Sequence, residues 1–269
     1  MVDLDAEQLD RYSRHVIMDD VGPDGQGALL EASVLVVGAG GLGSPVLQYL
    51  AAAGVGRLTV VDDDAVERSN LQRQVIHGES DVGRPKVESA REFVADLNPD
   101  VSVTARETRL TAANAADLID DHDVVVDASD NFPTRYLVSD ACTLAGVPFT
   151  HGAVYRFEGQ ATTFPGTGPC YRCLFPEAPP EGAVPDCATA GVLGVVSGTV
   201  GTLQATEALK LVLGTGDTLA GRLLVYDAAR TSVETVPVER DPDCPVCGDD
   251  PAIQSVADAT YEGRCSLSD

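Results

Sequence analysis

The chain has almost no lysine: Lys86 and Lys210 are the only two in 269 residues. Basic charge in general is scarce, with 18 Lys and Arg against 42 Asp and Glu, and the formal net charge is −24. The acids are spread along the chain and not gathered in a tail. Such a surface repels nucleic-acid phosphates and anionic membranes, which disfavours both as partners. Its diffuse acidity is that of a surface kept hydrated at high salt, as in halophilic proteins. Where lysine has nearly vanished, one that remains inside a motif is a candidate for a function. Also lacking is any run of eighteen uninterrupted apolar residues, and the acidic opening MVDLDAEQLD is unlike a signal peptide. The expectation is a chain with no membrane span and a cytoplasmic location. Its length suits one large α/β domain, alone or with a small appendage, better than two equal domains.

What is present is organised around residues 34–73. Four apolar residues, Val34, Leu35, Val36 and Val37, stop at Gly38, and Gly38, Gly40 and Gly43 have the G-x-G-x-x-G spacing of a nucleotide-binding strand-to-helix turn. Glycine is needed there because a side chain would hold the backbone away from a phosphate. The bare N–H groups at the start of the next helix present the positive end of its dipole. Pro45 is tolerated in that helix's first turn, and Val46, Leu47, Leu50, Ala51 and Gly54 give it a face to lay on a sheet. A second strand, 58–61, ends in Asp62, Asp63 and Asp64, and an acid at that place accepts from a ribose hydroxyl. By itself the turn names no nucleotide, since glycine-rich turns also occur wherever a helix must pass close to a strand.

Seven cysteines without an export signal argue against a disulfide framework. Cys170 and Cys173 form CYRC and Cys244 and Cys247 form CPVC, two pairs whose spacing suits the two ends of one tetrahedral zinc. With four protein ligands that site would be closed and structural; a redox C-x-x-C or a chance pair is the alternative. Cys142 lies in an apolar helix and reads as core, Cys265 lies near the end, and Cys187 stands alone in DCATAG.

Elsewhere the pattern predicts a helix over 6–18 carrying Arg11, Arg14 and His15, a helix over 86–97, a strand over 101–106 and a helix over 111–120. The buried strand 123–127 is followed by Ser129, Asp130 and Asn131, at the strand end where open α/β sheets bind ligands. A helix over 133–145 and a strand over 147–150 complete an alternation expected of a parallel sheet. After His151 come strands without intervening helices, 160–164, 223–226 and 233–238, which suggest an antiparallel extension. A Pro/Gly-rich loop, 165–191, and a long apolar helix, 192–213, lie between them; Glu207 and Lys210 make that helix a core or interface helix and not a span. Residues 249–269 read as a flexible acidic tail.

Taken in order, GAGGLG, Asp62, the SNLQRQ run of 69–74, Lys86, the SDN of 129–131, the two C-x-x-C pairs and Cys187 closely resemble the MoeB/ThiF-type and ubiquitin-activating-type adenylyltransferases. The resemblance covers residues 10–248, and with the composition it leans towards the family's haloarchaeal branch, which activates small archaeal modifier proteins. It implies an α/β fold, with a Rossmann-like, mostly parallel sheet extended by antiparallel strands and a four-cysteine zinc site. The corresponding division is an N-terminal helical segment (1–32) serving the dimer and active site, an adenylation domain (33–248) and the tail.

For the site, the resemblance implies ATP beside Gly38, Gly40, Gly41 and Gly43, with Asp62 on the ribose. Asn70, Arg73 and Lys86 would bind the triphosphate, Ser69, Leu71, Gln72 and Asn131 would belong to the same nucleotide site, and Asp130 would hold Mg²⁺. Arg14 resembles an arginine delivered across a homodimer interface, and Cys187 the family's active thiol. The implied reaction is adenylation of the C-terminal glycine of ubiquitin-like or sulfur-carrier proteins ending in Gly-Gly. A thioester on Cys187 or transfer to sulfur from a separate sulfurtransferase would follow, serving protein conjugation, tRNA thiolation or molybdopterin synthesis. The chemistry agrees: attack of a carboxylate on the α-phosphate gathers negative charge that cations must meet. Against these readings stand blander ones. Asp130 and Asn131 can be a helix cap, Arg14 an exposed helix arginine, Cys187 a spare loop thiol, and His77 and His151 satisfied structural groups. The competing functions are an NAD-dependent oxidoreductase, which leaves Arg73, Lys86, Asp130 and the cysteines unexplained, and a non-catalytic zinc-bearing scaffold.

Overall fold

A computed structural model describes residues 4–177 and 191–261. Within them one sheet of eight strands runs in the order β3-β2-β1-β4-β5-β6-β7-β8. The strands are β1 (Ser33–Val37), β2 (Arg57–Val61), β3 (Ser102–Arg106), β4 (Val124–Asp127), β5 (Phe149–Tyr155), β6 (Glu158–Phe164), β7 (Arg222–Asp227) and β8 (Ser232–Pro237). The first five pair in parallel and the last three are added antiparallel. Helices α1 (Ala6–Arg11), α2 (Ser13–Val16) and α3 (Gly22–Glu31) precede the sheet. Helices α4 (Gly43–Ala53), α5 (Lys86–Leu97), α6 (Ala115–Ile119) and α7 (Phe132–Ala145) connect its parallel strands. Beyond them come the short α8 (Tyr171–Leu174) and the twenty-residue α9 (Gly194–Leu213).

β1 is buried on both faces, which is why it reads as an unbroken apolar run. Val34 and Val36 point into one core with Val46, Leu47 and Leu50 of α4, Val87 and Val94 of α5 and Val200 of α9. Leu35 and Val37 point into the other with Ile119 of α6, Leu137 and Cys142 of α7, Phe149 and Phe164. The sheet is therefore the middle layer of three. α9 is held by its own polar groups as well: the buried Glu207 accepts from Thr163 Oγ1 at 2.6 Å and pairs with Lys210. Among the described residues, no helix is long and apolar enough to cross a membrane.

Four expectations change. The helix over 6–18 breaks at Tyr12, whose buried side chain donates to Asp100 and accepts from Asn98, and a further helix, α3, starts beside Pro23. The helix expected from 111 starts only at Ala115. Asn114 takes the Thr111 N–H on its own side-chain oxygen, holding 111–114 in turns. The strand expected to stop at 150 continues to Tyr155, because pairing with β6 extends that far. Residues 249–261 are not loose: Val256 joins the second core and Tyr261 donates to the buried Asp140 at 2.7 Å. Residues 262–269 lie outside those described.

Candidate functional site

The order β3-β2-β1-β4-β5 puts the reversal of chain direction between β1 and β4, so the loops after these strands open a crevice at their C-terminal ends. The two loops touch. Gly38 has φ +101°, and a Cβ on it would lie 2.8 Å from the carbonyl oxygen of Ala128. A Cβ on Gly43 would lie 1.9 Å from the carbonyl oxygen of Gly38. The glycine spacing is thus fixed by steric necessity: the first lets the two loops meet and the third lets α4 start against the turn.

Hydrogen bonds aim the turn. The Ala39 N–H donates to Asp62 Oδ2 at 2.8 Å, and the Gly40 carbonyl accepts from Ser44 N and Ser44 Oγ at 2.9 and 2.8 Å. Among the described residues, the N–H groups of Gly40, Gly41 and Leu42 have no protein acceptor. Together with the N-terminus of α4 they make a concave set of donors suited to an anion. Asp62 follows the last residue of β2, and its second oxygen accepts from the Asp64 N–H at 2.9 Å. Burial raises its pKa, opposed by Lys86 and by those two N–H groups.

The charged loop closes one side. Arg68–Asn70 form a single 3-10 turn in which the buried Asn70 accepts from the Glu67 N–H at 3.1 Å, and Leu71 continues it. Arg73 donates to the Ser69 carbonyl at 3.1 Å and runs beside the turn, since a Cβ on Gly41 would lie 3.3 Å from Arg73 Cγ. That same point is 3.2 Å from Ser197 Oγ, which is buried without a partner. Ser197 belongs to α9, and α9 starts with Gly194 pressed on the Gln72 carbonyl. Lys86 opens α5 with its side chain 8% exposed, and its ammonium lies 2.6 Å from Asp64 Oδ2.

Asp130 is exposed at the mouth of the crevice, reached by the Asn131 amide at 3.4 Å. Asn131 caps α7 by accepting from the Thr134 N–H, so the cap reading holds for it. Beneath them Asp127 accepts from Ser129 Oγ at 2.5 Å and from His151 Nδ1 at 2.7 Å. Burial keeps that imidazole neutral, while the same bond keeps Asp127 ionised despite its own burial. Arg14 is exposed on α2 and has no hydrogen bond or ion pair among the described residues. Cys187 lies outside the described residues. Sequence reasoning missed Ser197, Gly194 and Asp64 as parts of the site. Asp64 had a signal in the acid triplet; the apolar helix gave none for the other end of the crevice.

A second cluster lies elsewhere in the fold. The sulfurs of Cys170, Cys173, Cys244 and Cys247 all lie within 4.8 Å of one another, with close pairs at 3.3–3.5 Å, and all four are free thiols. Zinc–sulfur bonds of about 2.3 Å at tetrahedral angles need sulfurs about 3.8 Å apart, so the donor set fits. Burial and the neighbouring sulfurs push the Cys170 thiol far up and burial pushes Cys247 up to about 12, while Cys244 is lowered against its burial by the Cys247 and Val246 N–H groups. The knuckle is anchored to α7, where Arg172 makes a two-pronged pair with Asp140 at 2.8 and 2.7 Å and Ser139 accepts from the Tyr171 N–H.

The chain is similar to known proteins over nearly its whole length. A SAMP-activating enzyme E1 of Haloferax volcanii is 63% identical over 265 residues, covering 98% of both chains. A sulfur carrier protein adenylyltransferase of Thermus thermophilus is 55% identical over 267 residues, covering 97% of this chain and 98% of that one. The fold matches the crystal structure of E. coli MccB with AMPCPP and MccA at a TM-score of 0.78 and 23% identity, over 88% of this chain and 74% of that one. The model of the ThiF family matches residues 12–246, and the chain belongs to the ThiF family.

Proposed function

We propose that this chain uses ATP to adenylate the C-terminal glycine of a ubiquitin-like modifier or sulfur-carrier protein ending in Gly-Gly. The observation that carries the reading is the glycine turn with its free N–H groups, placed at the switch point between Asp62, Arg73 and the buried Lys86. A carboxylate oxygen of the incoming glycine attacks the α-phosphorus, the bond from that phosphorus to the bridging oxygen breaks, and pyrophosphate leaves. Asp62 accepts from the ribose. Asn70, Arg73 and Lys86, with Ser69, Leu71, Gln72 and Asn131 around them, receive the triphosphate, whose oxygens take the place of Asp64 on the Lys86 ammonium. Asp130 would hold magnesium, which would supply charge neutralisation on the phosphates. Arg14 of a partner copy in a homodimer adds a further cation. A dinucleotide oxidoreductase would have no use for this concentration of cations, and a bare scaffold none for the free N–H groups.

The four cysteines would hold one zinc in a closed structural site, on the support of the sulfur spacing. Cys187 then attacks the acyl carbonyl of the adenylate, AMP leaves, and the thioester serves conjugation; sulfur transfer uses a separate sulfur donor. The test is exchange of labelled pyrophosphate into ATP in the presence of Mg²⁺. Exchange that requires a Gly-Gly-ending protein and vanishes when its last glycine is removed supports the reading, and no exchange removes it. Cys187→Ser should keep the exchange and lose a dithiothreitol-sensitive adduct; an unchanged adduct would place the thiol elsewhere.

A further inference from the structure

Among the described residues, the Ala39 carbonyl in the glycine turn has one partner. His77 Nε2 lies 3.0 Å from it, and His77 Nδ1 lies 2.9 Å from Ser89 Oγ. A carbonyl oxygen only accepts, so Nε2 carries the proton; in the neutral ring Nδ1 then accepts from the Ser89 hydroxyl. Both residues are buried, His77 5% exposed and Ser89 3% exposed. Ser89 lies on α5 three residues after Lys86, so one helix supplies both the site's cation and the anchor of the histidine. Burial and the nearby Lys86 ammonium both favour the neutral ring, with Asp81 opposing them.

Two neighbouring peptide groups of the turn are therefore fixed from outside it. Asp62 holds the Ala39 N–H, and His77 holds the Ala39 carbonyl. A trans peptide is planar, with its C=O and N–H pointing in opposite directions. Holding the Ala39 carbonyl towards His77 therefore turns the Gly40 N–H, which has no protein acceptor among the described residues, away from His77 and towards the crevice. A glycine turn is the most pliable segment of the site, and preorganised donors bind better than donors that must be ordered by their ligand.

We infer that His77 is a positioning residue for nucleotide binding, which aims the Gly40 N–H at the phosphates of ATP by anchoring the Ala39 carbonyl through an α5-held imidazole. The inference rests on the reading of the crevice as an ATP site. It also assigns a function to a side chain that sequence reasoning treats as a satisfied structural histidine.

The experiment is titration of the full chain with a non-hydrolysable ATP analogue in Mg²⁺, together with steady-state kinetics of the complete reaction. His77→Ala should raise the Kd for the analogue and the KM for ATP by about tenfold, the size of one lost hydrogen bond. The KM for the Gly-Gly-ending protein and the zinc content should not move. His77→Gln, whose amide can still donate to Ala39, should recover most of the affinity. A role in packing alone would instead lower thermal stability in both variants and leave the Kd untouched, and that result overturns the inference. Should His77→Ala not fold, nitrogen NMR of histidine-labelled unsubstituted protein decides. Protonated Nε2 and accepting Nδ1, perturbed on analogue binding, are expected for His77; a proton on Nδ1 alone contradicts it. Failure of the unsubstituted chain to bind the analogue would remove the ATP site itself, and this inference with it, so the two failures are distinct.

Discussion

The parallel and antiparallel halves of the sheet hold their chemistry by different means. In the parallel half, the crevice between β1 and β4 is shaped by backbone contacts that tolerate only glycine and by hydrogen bonds that the turn's peptide groups make with Asp62, Ser44 and His77. From the antiparallel half, the segments that follow β6 and β8 bring four sulfurs close together, with Val246 and Ile253 as their apolar company among the described residues. Steric contacts and hydrogen bonds hold the turn of the crevice in place, whereas the four sulfurs stand at the spacing of metal ligands. On the proposed reading, one half serves a ligand that comes and goes and the other a metal that stays.

The comparison is broken most severely by removing a cation from the crevice. Lys86→Ala or Arg73→Ala should lower pyrophosphate exchange by about 10³-fold while the melting temperature and zinc content stay near those of the parent. A variant that melts early and exchanges normally would reverse the assignment of the two halves. Next in size is the cysteine cluster. Cys244→Ser or stripping by a chelator should destabilise the fold by on the order of 3 kcal/mol or more and release about one zinc per chain, read by calorimetry and metal analysis. Residual folded protein should still bind the ATP analogue, since among the described residues none of these four sulfurs bonds to a residue of the glycine turn.

The smallest effect is on pH. His77, His122 and His151 all have pKa values lowered from 6.5, chiefly by burial. Their unfolded forms bind protons that the folded forms refuse, so the melting temperature should fall as pH drops below about 6.5. Asp62, raised by burial, works in the opposite direction at lower pH. His122→Gln, at a position outside both sites, should make the fall shallower; an unchanged slope would show that another group carries it.

Much of the crevice was legible because steric necessity leaves a mark in the chain. Gly38 and Gly43 must be glycine, and β1 and β4 must be apolar on both faces, so spacing alone located the turn and the loop of Ser129, Asp130 and Asn131. The helix over 86–97 was placed at its actual bounds, with Lys86 at its start. What escaped depends on contacts between distant residues. Nothing near His77 announces that its ring reaches Ala39, 38 positions away. Nothing in the apolar run of α9 announces that Gly194 seats on the Gln72 carbonyl. The break at Tyr12 likewise follows from partners at Asn98 and Asp100. The cysteine pairs were easy to find, because each brings its own spacing, but that Tyr171 and Arg172 between them anchor the knuckle to α7 required the fold.

The central claim is that the crevice splits ATP between its α- and β-phosphates, and phosphorus NMR of the products tests it most directly. With Mg²⁺ and a Gly-Gly-ending protein, the account predicts pyrophosphate together with AMP, free or joined to that protein's C-terminus, and no ADP. Formation of ADP and inorganic phosphate would contradict it.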